Sequence, residues 1–285
     1  MDLIFISADV REVSMAMLAG VDRIMVDLEI NGKRERQGHA DTLISGHRLA
    51  DVETIRATFP RAHLMVRVNP MDVESTEEIR CVLEMGADTL MLPMFVHPDE
   101  AKRFIDLVGG QARTSLLLET APALARLDSL LEVEGIDEIH VGLNDLHLSM
   151  HLDFMFELLA GGIVDFVASA CHEKDLPFGF GGVGPVGHGL LPAELILGEH
   201  ARLGSNQVIL SRDFHSLLRG QDERADERRL MDAVEAVRAQ LVSTARRDSR
   251  QVRADHEQTR AIVREIVDAR RRMDQSKLRQ EQGAQ

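Results

Sequence analysis

Short apolar segments alternate with polar stretches along the first three quarters of the chain. They are rich in Val, Ile, Leu and Met, and several are apolar at nearly every position, as in strands buried on both faces of a parallel sheet. The segments are LIFISA from Leu3, RIMVDLE from Arg23, HLMVRVN from His63, TLMLPMF from Thr89, TSLLLET from Thr114, EIHVGL from Glu138, PFGFGGV from Pro177 and QVILSR from Gln207. The pattern predicts eight parallel β-strands.

Stretches with helical spacing of apolar residues lie between these strands. They are VREVSMAMLAG, DVETIRATF, STEEIRCVLEMG, PDEAKRFIDLVG, APALARLDSLLEV and PAELILGEHARLG. Repeated strand-helix units predict an α/β protein, a (β/α)8 TIM barrel over residues 1–218. The alternative is a doubly wound open sheet. It calls for a glycine-rich turn after the first strand, which ISADVREVS lacks.

The composition changes after Leu218. From Arg219 the chain is dense in Arg, Asp, Glu and Gln, with apolar residues such as Leu230, Val234 and Val237 at helical spacing. This predicts a charged helical extension over 219–285, with two amphipathic helices, the second fading into the polar tail DQSKLRQEQGAQ. Two roles are open for it: a solvated helix that closes the barrel, or an arm that forms a homo-oligomer.

Charge and composition restrict the partners. The formal net charge of -14, with no Trp and no Tyr, argues against nucleic acid and against an anionic membrane surface. Cys81 and Cys171 lie far apart in the sequence, and the first residues read as a strand rather than a targeting segment. These features predict a cytoplasmic protein with reduced thiols and a small-molecule partner.

Charged residues follow several of the predicted strands. A parallel barrel places its active site at the carboxyl ends of its strands. Glu119 ends strand five and Asp145 ends strand six, so their carboxylates can converge and repel each other unless a cation lies between them. A hard divalent cation with oxygen ligands resolves this repulsion, which predicts Mg²⁺ or Mn²⁺ as cofactor.

Arg67 ends the otherwise apolar strand HLMVRVN and has two interpretations. It forms a structural ion pair with Asp27 or Glu29, which follow strand two, or its planar fork binds substrate oxygen atoms. The second interpretation makes it a catalytic and substrate-binding candidate. The other substrate-binding candidates follow strands six and eight and are Leu143, Asn144 and Ser211. An arginine and a metal in one pocket suit a small anionic substrate.

Five segments in register carry a resemblance to a known family. They are VDRIMVDLE (21–29), MVRVNP (65–70), EMGADTLMLPMF (84–95), LLLETAPAL (116–124) and GIDEIHVGLNDL (135–146). Together they resemble the HpcH/HpaI aldolase and citrate lyase beta-subunit family. The resemblance implies a TIM barrel whose divalent metal holds the carboxylate and keto oxygen of pyruvate or an oxaloacetate-like unit.

The resemblance also implies residue roles. Glu119 and Asp145 match the metal ligands, and Arg67 matches the arginine that stabilises the enolate oxygen. Asp27 and Glu29 match acidic positions that act through ordered water and the base network.

One position departs from the family pattern. Ile30 stands where the 2-keto-3-deoxy acid aldolases of the family carry a histidine that works in proton transfer. His39 and His47 lie in the loop that follows, so either is a candidate to move the proton.

We therefore expect a divalent-metal-dependent carbon-carbon lyase of the aldolase type. It would act through the metal-bound enolate of pyruvate or a related 2-oxo acid, and the sequence leaves the second substrate open between an aldehyde, an acyl thioester and a phosphorylated partner. The alternatives are a lyase acting on an acyl thioester, like citrate lyase or malyl-CoA lyase, and a non-catalytic metal-binding barrel used as a scaffold. The glycine-rich GFGGVGPVGHG (179–189) is either a tight barrel turn or a phosphate-binding loop.

Overall fold

The computed structural model describes residues 1–30, 46–220 and 222–283, and for residues 274 and 276–283 only the backbone. Each of the eight apolar segments forms a strand, because its side chains are buried on both faces of the sheet. The strands are β1 (Asp2–Ile6), β2 (Arg23–Asp27), β3 (His63–Arg67), β4 (Thr89–Leu92), β5 (Arg113–Leu118), β6 (Glu138–Val141), β7 (Phe178–Val183) and β8 (Gln207–Leu210).

The strands close into a barrel in sequence order, and every neighbouring pair is parallel. Closure is made by β1 and β8, where Ile4 lies beside Ile209. The predicted (β/α)8 TIM barrel is confirmed, and the open sheet was the wrong alternative.

Helices cover the outside of the barrel. In the described residues they are α1 (Val10–Leu18), α2 (Leu49–Thr58), α3 (Ser75–Glu84), α4 (Pro98–Val108), α5 (Ala121–Leu124), α6 (Leu127–Leu131), α7 (Leu143–Ser149), α8 (Glu157–Ala160), α9 (Ile163–Glu173), α10 (Ala193–Arg202), α11 (Asp213–Ser216), α12 (Glu223–Ala245) and α13 (Ser249–Gly283).

Two helical predictions need correction. The segment APALARLDSLLEV forms two short helices, because the backbone of Arg126 leaves helical geometry and its guanidinium donates to the carbonyl of Pro122 instead. The polar tail does not fade from the helix: α13 continues to Gly283, through Gln, Lys, Arg and Glu, which all favour helix.

The barrel interior is apolar in the middle and polar at its amino-terminal end. Ile4, Met25, Met65, Met91 and Leu117 form the apolar layer. Below it lies an ion-pair cluster, which we call the polar plug: Arg23 donates to both oxygens of Glu138 at 2.8 and 2.9 Å and also contacts Asp2 and Gln207. The plug closes the end of the barrel that lies opposite the expected active site.

The C-terminal extension packs on the barrel. Leu230, Val234 and Val237 of α12 belong to the main hydrophobic core. Arg238 donates to the carbonyls of Met1 and Gly20, at 2.9 Å each. This agrees with the predicted helix that closes the barrel, and the oligomer-forming arm stays a prediction.

Helix α13 packs against α10 and α8. At the first contact, His256 Nδ1 lies 2.9 Å from the buried Glu199 carboxylate, which also accepts from Arg202. Within the described part of the chain, none of the helices combines the length and apolar character that a membrane crossing needs.

Candidate active site

Five charged side chains gather at the carboxyl end of the barrel. Asp27 is the last residue of β2 and Arg67 is the last of β3, and the two residues are paired across the sheet. Glu29 follows two residues after Asp27, Glu119 comes directly after β5, and Asp145 lies in the first turn of α7. Asp27, Glu29 and Glu119 are each no more than 3% exposed. The structure thus brings together the acidic residues and the arginine that the sequence singled out.

Arg67 and Asp27 form a two-bond ion pair. Arg67 Nε donates to Asp27 Oδ1 at 2.8 Å, and Nη2 donates to Oδ2 at 2.7 Å. Arg67 Nη1 lies 3.5 Å from Glu29 Oε2. Burial works to lower the pKa of Arg67, but the charges of Asp27, Glu29 and Glu119 outweigh it and raise that pKa. The structural interpretation of Arg67 therefore holds, and the pair also fixes the plane of the guanidinium.

Glu119 is held by two features that sequence reasoning missed. The backbone N–H of Met94 donates to Glu119 Oε1 at 3.1 Å, and Met94 adopts a left-handed φ of 55° to do so. On the other side, a Cβ at Gly142 would lie 2.7 Å from Glu119 Oε2, so only glycine fits there. The signal for Gly142 was a glycine directly after the apolar run EIHV, whereas Met94 carried none.

The surroundings of Glu119 disfavour its negative charge. Burial is the main cause that raises its pKa well above the usual value, and the nearby charges of Asp145 and Glu29 raise it further. Arg67 and the N–H of Met94 lower the pKa of Glu119, but by less than burial and the two carboxylates raise it. The carboxylates therefore lie close enough to repel each other through a medium that screens poorly.

Asp145 is placed differently from the prediction that it ends strand six. Strand β6 stops at Val141, Gly142 caps the amino end of α7, and the helix begins at Leu143, so Asp145 lies in its first turn. The amino end of a helix favours a negative charge, because its N–H groups point outward there. Helix α7 therefore positions Asp145 at the site, whereas the sequence predicted that strand six does so.

Two histidines were candidates for proton transfer. His47 Nδ1 accepts the backbone N–H of Asp27 at 3.0 Å, so the imidazole is fixed beside the Arg67 ion pair. His39 lies outside the described residues. Ile30 is half exposed, and its N–H donates to Asn69 Oδ1 at 2.9 Å.

The other substrate-binding candidates lie in different surroundings. Leu143 is buried and packs against Gly181, while Asn144 is exposed on α7. Ser211 donates its hydroxyl proton to Asp213 at 3.1 Å. Their role in substrate binding stays a prediction.

The glycine-rich segment is partly strand. Its first residues belong to β7, where a Cβ at Gly179 would lie 2.3 Å from the carbonyl oxygen of Gln207. Beyond the strand, Gly184 faces the carboxylate of Asp213. A tight barrel turn accounts for the glycines, and the nearby carboxylate disfavours a phosphate.

The residues present fit a divalent cation. Among the described residues, Asp27, Glu29 and Glu119 bring three carboxylates to the guanidinium of Arg67, and the charge of Asp145 also acts on Glu119, so these described groups carry an excess of negative charge. No group of three or more His, Cys, Asp or Glu side chains arranged for a metal occurs in the described ranges. A pair of carboxylates is the donor set that Mg²⁺ uses when water and substrate complete its coordination.

The model of the HpcH/HpaI aldolase/citrate lyase family matches residues 3–155, more than half of the 285 residues. The chain belongs to this family. The matched segment of this family member contains all five charged residues of the site and the elements that carry them, from β1 to α7. The family takes its name from aldolases and a lyase, so a general lyase activity is supported.

Solved structures share the barrel. An HpcH/HpaI aldolase/citrate lyase family protein from Burkholderia cenocepacia has a TM-score of 0.59 and 19% identity, over 80% of this chain and 94% of that one. An HpcH/HpaI aldolase from Desulfitobacterium hafniense has a TM-score of 0.58 and 14% identity, over 74% and 85%. Citrate synthase SbnG has a TM-score of 0.53 and 16% identity, over 85% and 94%. At identities of 14 to 19%, these similarities show a shared fold alone. No curated protein matches the sequence.

Proposed function

We propose that this chain is a divalent-metal-dependent carbon-carbon lyase of the aldolase type that forms the enolate of pyruvate or a related 2-oxo acid. One observation carries the proposal. In the part of the chain that the structure describes, Asp27, Glu29 and Glu119 lie around Arg67 at the carboxyl end of a barrel of this family, and burial together with the charges of Asp145 and Glu29 raises the pKa of Glu119. Such a cluster is suited to a cation and to an anionic substrate that the cation binds.

Glu119 and Asp145 would hold Mg²⁺ or Mn²⁺, and the bound ion would supply Lewis-acid polarisation of the keto group. Arg67 stabilises the negative oxygen of the enolate, because Asp27 holds the guanidinium plane by two hydrogen bonds. Both oxygens of Asp27 are engaged by Arg67, so Asp27 acts as a positioning residue.

Glu29 and His47 share the proton chemistry. Both oxygens of Asp27 are committed to Arg67, so we assign Glu29, at 3.5 Å from Arg67, as the carboxylate that takes the methyl proton of pyruvate. His47 accepts a hydrogen bond at Nδ1, so its neutral ring carries the proton on Nε2 and acts as a donor. It donates a hydrogen bond to the alkoxide formed when the enolate adds to an aldehyde, and the proton on Glu29 then passes to that alkoxide.

A calorimetric titration with Mn²⁺ and with Mg²⁺ tests the assigned ligands. The wild type should bind one ion, and Glu119→Gln and Asp145→Asn should each lose that binding. Glu199→Gln, which changes another buried glutamate that is paired with Arg202 and His256, should keep it. Equal binding in all four proteins would contradict the metal assignment, and binding without turnover of any 2-oxo acid would favour the scaffold alternative.

A further inference from the structure

Helix α7, which carries Asp145, is held at both ends by the segment that carries Glu119. At its amino end, a Cβ at Gly142 would lie 2.7 Å from Glu119 Oε2, so the start of the helix lies directly against that carboxylate. At its carboxyl end, Ser149 Oγ accepts the backbone N–H of Ala121 at 2.9 Å. Ala121 comes two residues after Glu119. The position of α7 therefore sets how Asp145 lies relative to Glu119.

A third contact on α7 comes from a β-bulge in β7. Between Gly179 and Gly182 this strand advances three residues while the neighbouring β8 advances two. The bulge holds Gly181 in the left-handed region, at a φ of 51°. A Cβ there would lie 2.6 Å from Leu143 Cδ1 and 3.0 Å from its Cγ. Glycine thus lets the bulge pack on the first residue of α7, two residues before Asp145.

His140 holds the bulge from inside the barrel. Its register partner on β5 is Leu117, which belongs to the apolar interior layer, so the imidazole faces the interior as well. Leu117 comes two residues before Glu119, which places His140 one layer below the carboxylates. His140 Nε2 lies 3.1 Å from the carbonyl oxygen of Gly181.

The hydrogen bond to the bulge uses the whole donor capacity of His140. Burial lowers the pKa of His140 to about 4, so at neutral pH the ring is uncharged and has one N–H. A carbonyl oxygen can only accept, so this N–H is on Nε2 and is donated to Gly181. Among the described residues, the other ring nitrogen, Nδ1, has no hydrogen-bond partner. Barrel closure alone would require neither a buried polar ring, which is costly to bury, nor a glycine against Leu143.

We propose that His140 and Gly181 are positioning residues that fix α7, so that Asp145 and Glu119 keep the arrangement that holds a divalent cation. These roles rest on the proposed function, because they concern its two metal ligands. The contacts run from His140 to Gly181 by a hydrogen bond and from Gly181 to Leu143 by packing. Mg²⁺ demands a nearly ideal ligand geometry, so a displaced α7 weakens metal binding in a barrel that is still folded.

Calorimetric titration with Mn²⁺ tests these roles, and urea unfolding of the metal-free variants measures their stability. Gly181→Ala brings a Cβ within 2.6 Å of Leu143 Cδ1 and should weaken Mn²⁺ binding by about 10- to 100-fold, as substitutions behind metal ligands do. Gly20→Ala is the matched control. Gly20 also has a left-handed φ, of 83°, but no described atom beyond its chain neighbours lies within 4 Å of an added Cβ. Gly20→Ala should therefore lower stability through backbone strain and keep the metal affinity of the wild type.

A second substitution should restore the metal site. Leu143→Ala removes Cγ and Cδ1 and leaves Leu143 Cβ, which lies 3.7 Å from the added methyl group, an ordinary contact. Gly181→Ala combined with Leu143→Ala should bind Mn²⁺ about 10-fold more tightly than Gly181→Ala alone.

His140 is tested by a pair of variants that does not depend on the substitution at Gly181. His140→Leu removes the donor and should weaken Mn²⁺ binding by about 10-fold. His140→Gln supplies an amide N–H in its place and should keep most of the affinity.

The affinity of the wild type in both Gly181→Ala and His140→Leu would exclude the positioning roles. Equal weakening in Gly181→Ala and Gly20→Ala would assign the effect to backbone strain, and a double variant no better than Gly181→Ala would exclude the contact with Leu143 as its cause. A wild type that binds no Mn²⁺ contradicts the proposed function and this inference with it. A wild type whose Mn²⁺ is lost in Glu119→Gln and kept in Gly181→Ala and His140→Leu contradicts this inference alone.

Discussion

Glu119 and Glu199 are both buried glutamates, and their surroundings differ in charge. Glu199 lies between Arg202, at 2.6 Å, and His256, at 2.9 Å. Burial is the main cause that raises the pKa of Glu119, and the charges of Asp145 and Glu29 raise it further, against the charge of Arg67 and the backbone donor Met94. Because the folded pKa of Glu119 is raised, stability is lost as the pH rises above its usual 4.5. A charge kept in such surroundings at the expense of stability is typical of functional residues.

Replacement of the two glutamates should therefore change stability in opposite directions. In metal-free protein at neutral pH, Glu119→Gln should raise the free energy of unfolding by about 1 kcal/mol, because it removes a buried charge without a sufficient counter-ion. Glu199→Gln should lower it by about 2 kcal/mol, because it weakens the pair with Arg202. Urea unfolding followed by circular dichroism measures both. A loss of stability of equal size in the two variants would contradict the charge imbalance at Glu119.

The two proton-transfer residues should be separable by the step they affect. Glu29→Gln should lower the methyl-proton exchange of pyruvate by about 100-fold or more, because it removes the proton acceptor. His47→Gln should lower carbon-carbon bond formation by about 100-fold and the exchange by much less, because His47 acts on the alkoxide. Parallel NMR assays of exchange and bond formation measure the difference. If Glu29→Gln mainly lowered bond formation and His47→Gln mainly lowered the exchange, the roles assigned to Glu29 and His47 would have to be exchanged.

His140, which is not one of the charged site residues, provides a pH-dependent prediction. It is buried in β6, and burial lowers its pKa to about 4, although the hydrogen bond to the carbonyl of Gly181 raises it. The unfolded chain binds a proton near pH 6.5 and the folded chain does not, so stability falls as the pH drops from about 6.5 to about 4. Its share is on the order of 3 kcal/mol. Urea unfolding at pH 4.5 and 7 measures this pH-dependent part of the free energy of unfolding. His140→Gln should remove it, and His188→Gln, which changes an exposed histidine, should retain it. An unchanged pH dependence in His140→Gln would contradict its burial as a neutral ring.

At the scale of elements, the strands were predictable and the details of the site were not. All eight strands are buried on both faces, so runs of apolar residues were sufficient to predict them. The helix that carries Asp145 was missed because Gly142 was read as part of strand six. The ion pair of Arg67 with Asp27 was one of two interpretations, since neighbouring strands place the residues side by side without deciding which bonds form. The support of Glu119 by Met94 and Gly142 depends on contacts between distant segments, which a periodic pattern does not encode.

The C-terminal helices were found from their apolar spacing, and their packing yields a matched pair of substitutions. Leu230 is fully buried in the main core, and the next residue, Met231, is 40% exposed. Leu230→Ala should lower the free energy of unfolding by about 2 to 5 kcal/mol, and Met231→Ala should change it by less than about 0.5 kcal/mol. Urea unfolding should remain a single transition, because α12 shares the core of the barrel. A separate early transition would show that the extension folds independently.

At the scale of the whole molecule, stability and chemistry lie at opposite ends of the barrel. The polar plug, which includes Arg23, Glu138 and Gln207, closes the amino-terminal end, where Arg238 of α12 also donates to the carbonyl of Met1, the residue before β1. The carboxyl end carries the carboxylates whose repulsion the fold tolerates. This division is typical of TIM barrels, whose loops at the carboxyl end hold the reacting groups. The same division is therefore expected in a TIM barrel of the HpcH/HpaI aldolase/citrate lyase family.

The most direct test of the central claim is deuterium exchange into the methyl group of pyruvate, followed by proton NMR in D₂O. With Mg²⁺ or Mn²⁺ present, the wild type should exchange the methyl protons, and chelation of the metal should stop the exchange. Glu119→Gln and Asp145→Asn should fail to exchange at any metal concentration, while Glu199→Gln should behave as the wild type. Exchange that is absent in the wild type, or that persists in both Glu119→Gln and Asp145→Asn, would contradict the proposed metal-dependent enolate chemistry.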